Sequence, residues 1–190
     1  MSLWTSTLES YLDQVAADTP VPSSGATTAV CANLGLGLLL MALHNTARKE
    51  PGSDIQRLIK TVEELKEVLK AHADNDVRTF RAYIDETPER GGHTKQRALD
   101  ITLGSLAAAR SCYEGLCLAE RAMGLVHTHV RTDVISAALI MHASLCAMLL
   151  NVDSDCSQVE SLGDSPVSKA TRSALQSEAD MTLQRLRRNC

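Results

Sequence analysis

The chain has 190 residues, of which 44% are apolar and 22% charged, with a formal net charge of −4 and a pI near 5.8. A disordered polymer is excluded, and so is the basic footprint that nucleic-acid binding requires. Aromatic residues make up only 3%, so Ala and Leu must fill the core, which favours close-packed helices over a β-sandwich.

Leu3, Leu8, Leu12 and Val15 predict a short first helix, closed by Asp18-Thr19-Pro20. A second helix is expected from about Ser24 to Lys49, apolar nearly all round and therefore central. Pro51-Gly52 ends it, and Ser53 or Asp54 can cap a third helix that runs past Phe80. Residues 86–93, with Pro88 and Gly91-Gly92, read as a surface loop. A fourth helix is expected over about 94–125, then the short connection "GLVHTHV" and a second wholly apolar helix over 131–151. A polar linker, 152–166, leads to a sixth, amphipathic helix over 167–188. No alternating Val/Ile run suggests a sheet. The fold class is all-α, one helical bundle over 1–190 with helices 24–49 and 131–151 buried at its centre.

Ser23-Ser24-Gly25 and the small residues after it read two ways. Two buried helices need small residues where they cross, and Ala26, Ala29, Ala32, Gly35 and Gly37 face Ser136, Ala137, Ala138, Ala143 and Ala147 in such a scheme. Alternatively, the free N–H groups at a helix start receive an anion. Asp133 precedes an apolar run, and Asn151 lies 18 residues further on, about five turns, on the same side of the helix. Thr46 and Lys49 share a face at the end of the second helix, and Asp76 stands one turn before Phe80 on the third. Arg185, Arg187 and Arg188 read as favourable charges at a helix C-terminus.

The six cysteines form no C-x-x-C pair, and Cys31, Cys112, Cys117 and Cys146 fall inside apolar helices, as reduced core thiols do. His127 and His129 have no matching Cys or carboxylate set, so no metal is expected. His142 reads as a core histidine. The first twenty residues lack a basic signal region and the apolar run 30–43 is too short for a bilayer, so a cytoplasmic protein with no membrane partner is expected.

"TPVPSSGATTAVCANLG" resembles the P-x-P-G-G-G-[GS]-x-A-A segment that opens the cyclodeaminase/cyclohydrolase family of folate enzymes. "LGLGLLLMALHNTARK", "DNDVRTF", "LAE" and "HVRTDVISAALIMHASLCAMLLNV" resemble the blocks that follow, in the same order, over about 5–155. The chain departs from the pattern at Ser23-Ser24, His44, Ser105 and Ile135.

The resemblance implies action on the N5/N10 one-carbon unit of tetrahydrofolate, as a methenyltetrahydrofolate cyclohydrolase or a formiminotetrahydrofolate cyclodeaminase. No metal or redox cofactor is implied, the only partner is the folate substrate, and a homodimer is expected. Carried over residue by residue, it assigns Asp133, Asp76 and Lys49 to catalysis and Ser24, Gly25, Thr46 and Asn151 to substrate binding, with Ser24, Gly25, Thr46, Lys49, Asp76 and Asp133 expected to line one cleft. A non-catalytic folate- or anion-binding homologue, or a helical oligomerisation or regulatory protein, stays open beside the enzyme.

Overall fold

The structure, a computed structural model, describes residues 2–85, 91–160 and 169–188, and for 91–95 and 157–160 the backbone only. A 3-10 turn, Leu3–Thr5, precedes α1 (Leu8–Ala16), α2 (Ser24–Lys49), α3 (Ser53–Ile84), α4 (Gly91–Met123), a second 3-10 turn (Thr128–Val130), α5 (Arg131–Glu160) and α6 (Lys169–Arg188). The described residues contain no strand. Helices α2, α3, α4 and α5 pack as a four-helix core, and α6 lies against α4 and α5.

Capping chemistry explains the boundaries. Ser23 caps α2, its Oγ accepting from the Ala26 N–H at 3.4 Å. The first expected helix is divided because Thr7 Oγ1 takes the Ser10 N–H and starts a new one there. Of the expected loop 86–93, residues 91–93 open α4, and 86–90 lie outside the described residues.

The expected linker is corrected more heavily. Residues 152–160 continue α5, and only 161–166 lie outside the described residues. Val152 and Cys156, one turn apart, keep packing on the core, while Asp153 on the outer side holds Arg172 of α6 at 3.0 Å. Asp153 and Ser154 of "NVDSDC" are therefore on the solvent face of a helix, while Asn151 and Asp155 are half-buried.

Close crossing of the central helices accounts for part of the small-residue pattern. A Cβ at Gly35 would stand 3.2 Å from the Ala137 carbonyl oxygen and 3.2 Å from Ile140 Cγ2. Leu36, Leu39 and Leu43 of α2 and Met141, Leu145 and Leu149 of α5 are fully buried there. Neither helix is buried all round, as its composition alone had implied. Leu34 of α2 is 61% exposed and Leu150 of α5 is 64% exposed. Both helices are long and apolar enough to cross a membrane, but about half of each apolar stretch is buried inside the bundle.

The thiols divide in the same way. Cys112 is fully buried and its thiol is pushed up to about 12 by desolvation, whereas Cys31 sits exposed on the bare side of α2. His142 is half-buried and ties α5 to α6 through Asp180 at 2.6 Å. Arg185 pairs with Glu120 at 2.6 Å, which fixes the C-terminal end of α6 on α4.

Candidate functional site

The start of α2 faces α3 and the end of α5. Between them lies an open cleft of about 390 Å³, lined by Ser23, Ser24, Gly25, Asp76, Phe80, Ile101, Ser105, Asn151 and Asp155. That is room for part of a small organic ligand. Behind Asp76 the cleft continues into a recess of about 20 Å³ that also touches His72 and Asn75, enough for one water molecule.

The helix start is occupied by a side chain of the protein itself. Asp76 Oδ2 accepts the Ala26 N–H at 3.0 Å and a short hydrogen bond from the Ser23 hydroxyl. An anion is therefore bound at this N-terminus, and it is the Asp76 carboxylate. Gly25 makes that possible. A Cβ there would stand 3.0 Å from the Asp76 carboxyl carbon and closer still to Oδ1. The opening segment is thus small for two reasons, helix crossing at Gly35 and carboxylate access at Gly25.

Gly25→Ala is expected to push Asp76 off the Ala26 N–H. A lost charge-assisted hydrogen bond costs about 1.5–3 kcal/mol, against a gain of up to about 1 kcal/mol from replacing a helical glycine. Urea unfolding should show a net loss of about 1 kcal/mol.

A second carboxylate shares the cleft. Asp155 lies one turn after Asn151, whose Oδ1 accepts from the Ser24 hydroxyl at 2.9 Å. Burial and the nearby Asp76 charge raise the Asp155 carboxyl from 3.8 to about 6. Burial also raises Asp76, against the opposing pull of its bonds to Ser23 and Ala26. Two half-buried acids share one cleft, with the second to ionise held up by the first, an arrangement chemically able to serve as acid and base. Sequence reasoning missed Asp155, because the surrounding residues read as a linker. Its i, i+4 spacing from Asn151 was the available signal.

The other expected site residues are elsewhere. Thr46 is buried, donates to the Ala42 carbonyl at 3.1 Å and accepts the His127 N–H at 3.2 Å. His129 Nε2 lies 3.1 Å from Asn45 Oδ1, so the turn before α5 docks on the C-terminal end of α2. Lys49 and Asp133 belong to that end. Along α2 it lies about 36 Å from Gly25, at 1.5 Å per residue. Within one chain, Ser24, Gly25, Asp76 and Asn151 line one cleft, whereas Thr46, Lys49 and Asp133 lie at the opposite end of the bundle.

The fold has a counterpart among known proteins. The sequence profile of formiminotransferase-cyclodeaminase matches residues 7–177. The chain belongs to the formiminotransferase-cyclodeaminase family. A methenyltetrahydrofolate cyclohydrolase from Methylorubrum extorquens is 27% identical over 160 residues, 77% of each chain. The crystal structure of a formiminotetrahydrofolate cyclodeaminase from Thermotoga maritima superposes with a TM-score of 0.86 over 99% of this chain and 97% of that one, at 18% identity. This family member shares the all-helical fold of that structure.

Among its described residues, no group of three or more His, Cys, Asp or Glu side chains converges as a metal site would require.

Proposed function

We propose that this protein is a folate one-carbon enzyme of the cytoplasm, a methenyltetrahydrofolate cyclohydrolase, with Asp76 and Asp155 as its acid/base pair. The observation that carries the reading is the pair itself, two raised carboxyls in a cleft at the start of α2. The cyclohydrolase among its relatives supports this choice of reaction.

The substrate's methenyl carbon sits between two nitrogens that share a positive charge. An acidic cleft attracts that cation. Water adds to the carbon and loses one proton, the carbinol O–H so formed gives up the second as the C=O forms and one C–N bond breaks, and the released nitrogen takes up one proton. The product is the formyl compound, and one proton is left over in balance. Asp76 ionises first, held by Ser23 and the Ala26 N–H, and takes the proton from a water in the recess behind it. Asp155, protonated into the range near 6, supplies the departing nitrogen. Phe80 offers a flat apolar wall for a fused ring, and Ser24, Gly25 and Asn151 line the polar side.

A formiminotetrahydrofolate cyclodeaminase is the second reading, favoured by the family profile and by the solved structure of that name. It uses the same pair, with N10 attacking a formimino carbon and ammonia leaving. Turnover decides between them. The purified protein should remove the methenyl chromophore well above the enzyme-free rate and release no ammonia from the formimino compound. Ammonia release alone would reverse the assignment. Absence of both reactions, with no binding of either folate, would overturn the enzyme reading.

A further inference from the structure

A nucleophile and two titratable groups also converge away from the cleft, where α6 lies on α5. Positions one turn apart on α6 meet α5 in antiparallel order. Arg172 meets Asp153, Gln176 meets Cys146, and Asp180 meets His142. Gln176 Nε2 donates to Cys146 Sγ at 3.3 Å and to Asp180 Oδ1 at 2.9 Å. The His142 ring stands between the other two, with Nε2 2.6 Å from Asp180 Oδ1 and Nδ1 3.7 Å from Cys146 Sγ. No residue of α6 lines the cleft at the start of α2, so this group is separate from the acid pair there.

The partners fix where the proton sits. An ionised carboxylate only accepts, so the contact with Asp180 puts the hydrogen of neutral His142 on Nε2 and leaves Nδ1 bare toward the thiol. The hydrogen bond from His142, with a second from Gln176, holds the Asp180 carboxyl below its usual range, so it stays ionised. A nucleophile, a base in reach of it and a third group orienting the base are the parts that nucleophilic chemistry needs. The same geometry suits a metal poorly, because sulfur and carboxylate meet opposite nitrogens of one ring and no single ion touches all three. Cys146, which its apolar run marks as a core thiol, is half-buried, as are His142 and Gln176. Its sulfur is open to a small electrophile.

We propose that Cys146 is a peroxide-reactive thiol, with His142 carrying its proton and Asp180 holding His142 in place. His142 Nδ1 takes the thiol proton, and the thiolate attacks the terminal oxygen of a hydroperoxide. The S–O bond forms as the O–O bond breaks. Sulfur is oxidised to a sulfenic acid, and the proton on His142 passes to the departing oxygen, so the peroxide is reduced to water or an alcohol. The departing oxygen selects this electrophile. A hydroxide or alkoxide is strongly basic and needs a proton as it leaves, whereas the thiolate released from a disulfide, of pKa about 8.5, leaves without one. The inference does not rest on the folate reading.

The full-length chain, reduced and then treated with hydrogen peroxide in the presence of dimedone, should carry the sulfenic-acid adduct first at Cys146 when its peptides are mapped. Cys31 is the internal control, being exposed, with no histidine bonded to it among the described residues. An unassisted thiol is about 3% thiolate at pH 7, so proton removal by His142 should speed Cys146 about 10–30-fold over Cys31. His142→Gln keeps an amide for Asp180 and lacks the ring nitrogen that faces sulfur. It should bring Cys146 to the Cys31 rate or below, at unchanged helical circular dichroism. A variant that merely loosened α6 would expose Cys146 and speed it, so misfolding cannot imitate this result. Asp180→Asn should slow Cys146 as well, by a smaller factor.

Iodoacetamide reads the return of the proton. Iodide departs without one, so His142→Gln should slow alkylation of Cys146 less than its oxidation. Oxidation of Cys31 first, or a Cys146 rate indifferent to His142→Gln, overturns the peroxide site and leaves the group as a tie between α5 and α6. Equal slowing of both reagents overturns the proton transfer to the departing oxygen, and indifference to Asp180→Asn overturns the positioning role of Asp180.

Discussion

Asp76→Asn is expected to lower turnover of a reduced folate by about 10²–10⁴-fold, the contribution of a positioned general base. The change is nearly isosteric. The substituted amide would keep an oxygen for the Ala26 N–H, now 3.0 Å from Asp76 Oδ2, so α2 keeps its start. Burial already disfavours the charged form of Asp76, so replacing it with a neutral amide costs the fold little. A drop in turnover at unchanged helical content would place Asp76 in the chemistry. Equal losses of turnover and of unfolding free energy would make it a cap and nothing more.

Asp155→Asn is expected to do two opposite things. Raising a carboxyl from 3.8 unfolded to about 6 folded means that the folded state holds its proton more tightly. The stability this contributes is complete below pH about 4 and is lost as pH rises through 6. At pH 8 the ionised group is a burden of about 3 kcal/mol before screening, reduced to about 1–2 kcal/mol because Asp155 is only partly buried. An amide at 155 cannot ionise, so the variant should be about 1–2 kcal/mol more stable than wild type at pH 8 and no more stable at pH 3.5. Chemical denaturation at the two pH values measures this. Turnover should fall at the same time, as expected where a buried charge serves a reaction at the cost of stability.

The bundle was legible in the sequence because its signals are local. The long apolar period of α2, a serine cap and the Pro51-Gly52 break fix both ends of that helix at Ser24 and Lys49. The extension of α5 was hidden by composition. Asp153, Ser154 and Asp155 outweigh Val152 and Cys156 in any count of polarity, although the two apolar residues sit at helical spacing and face the core.

The cleft was legible in half. Gly25, Ser24, Asp76 and Asn151 fall together because helix starts and ends alternate in an antiparallel bundle, and α2 begins where α5 is ending. Thr46, Lys49 and Asp133 were grouped with them by motif order. The sequence already places Thr46 and Lys49 at the far end of the 26-residue α2, and motif order does not bring the two ends of one helix together. Asp155 went unnoticed because its raised carboxyl depends on burial beside Asp76, and the local sequence offers only its i, i+4 spacing from Asn151.

The central claim is that two carboxyls share the proton work in this cleft. Its most direct test is the pH profile of kcat/KM for methenyltetrahydrofolate, corrected for the enzyme-free reaction, in wild type and in Asp155→Asn. The account predicts a wild-type rate that falls as pH rises through about 6, where Asp155 loses its proton, and a variant that is slower and flat over the same range. A wild-type protein with no turnover, or a variant that retains both the rate and the inflection, would contradict it.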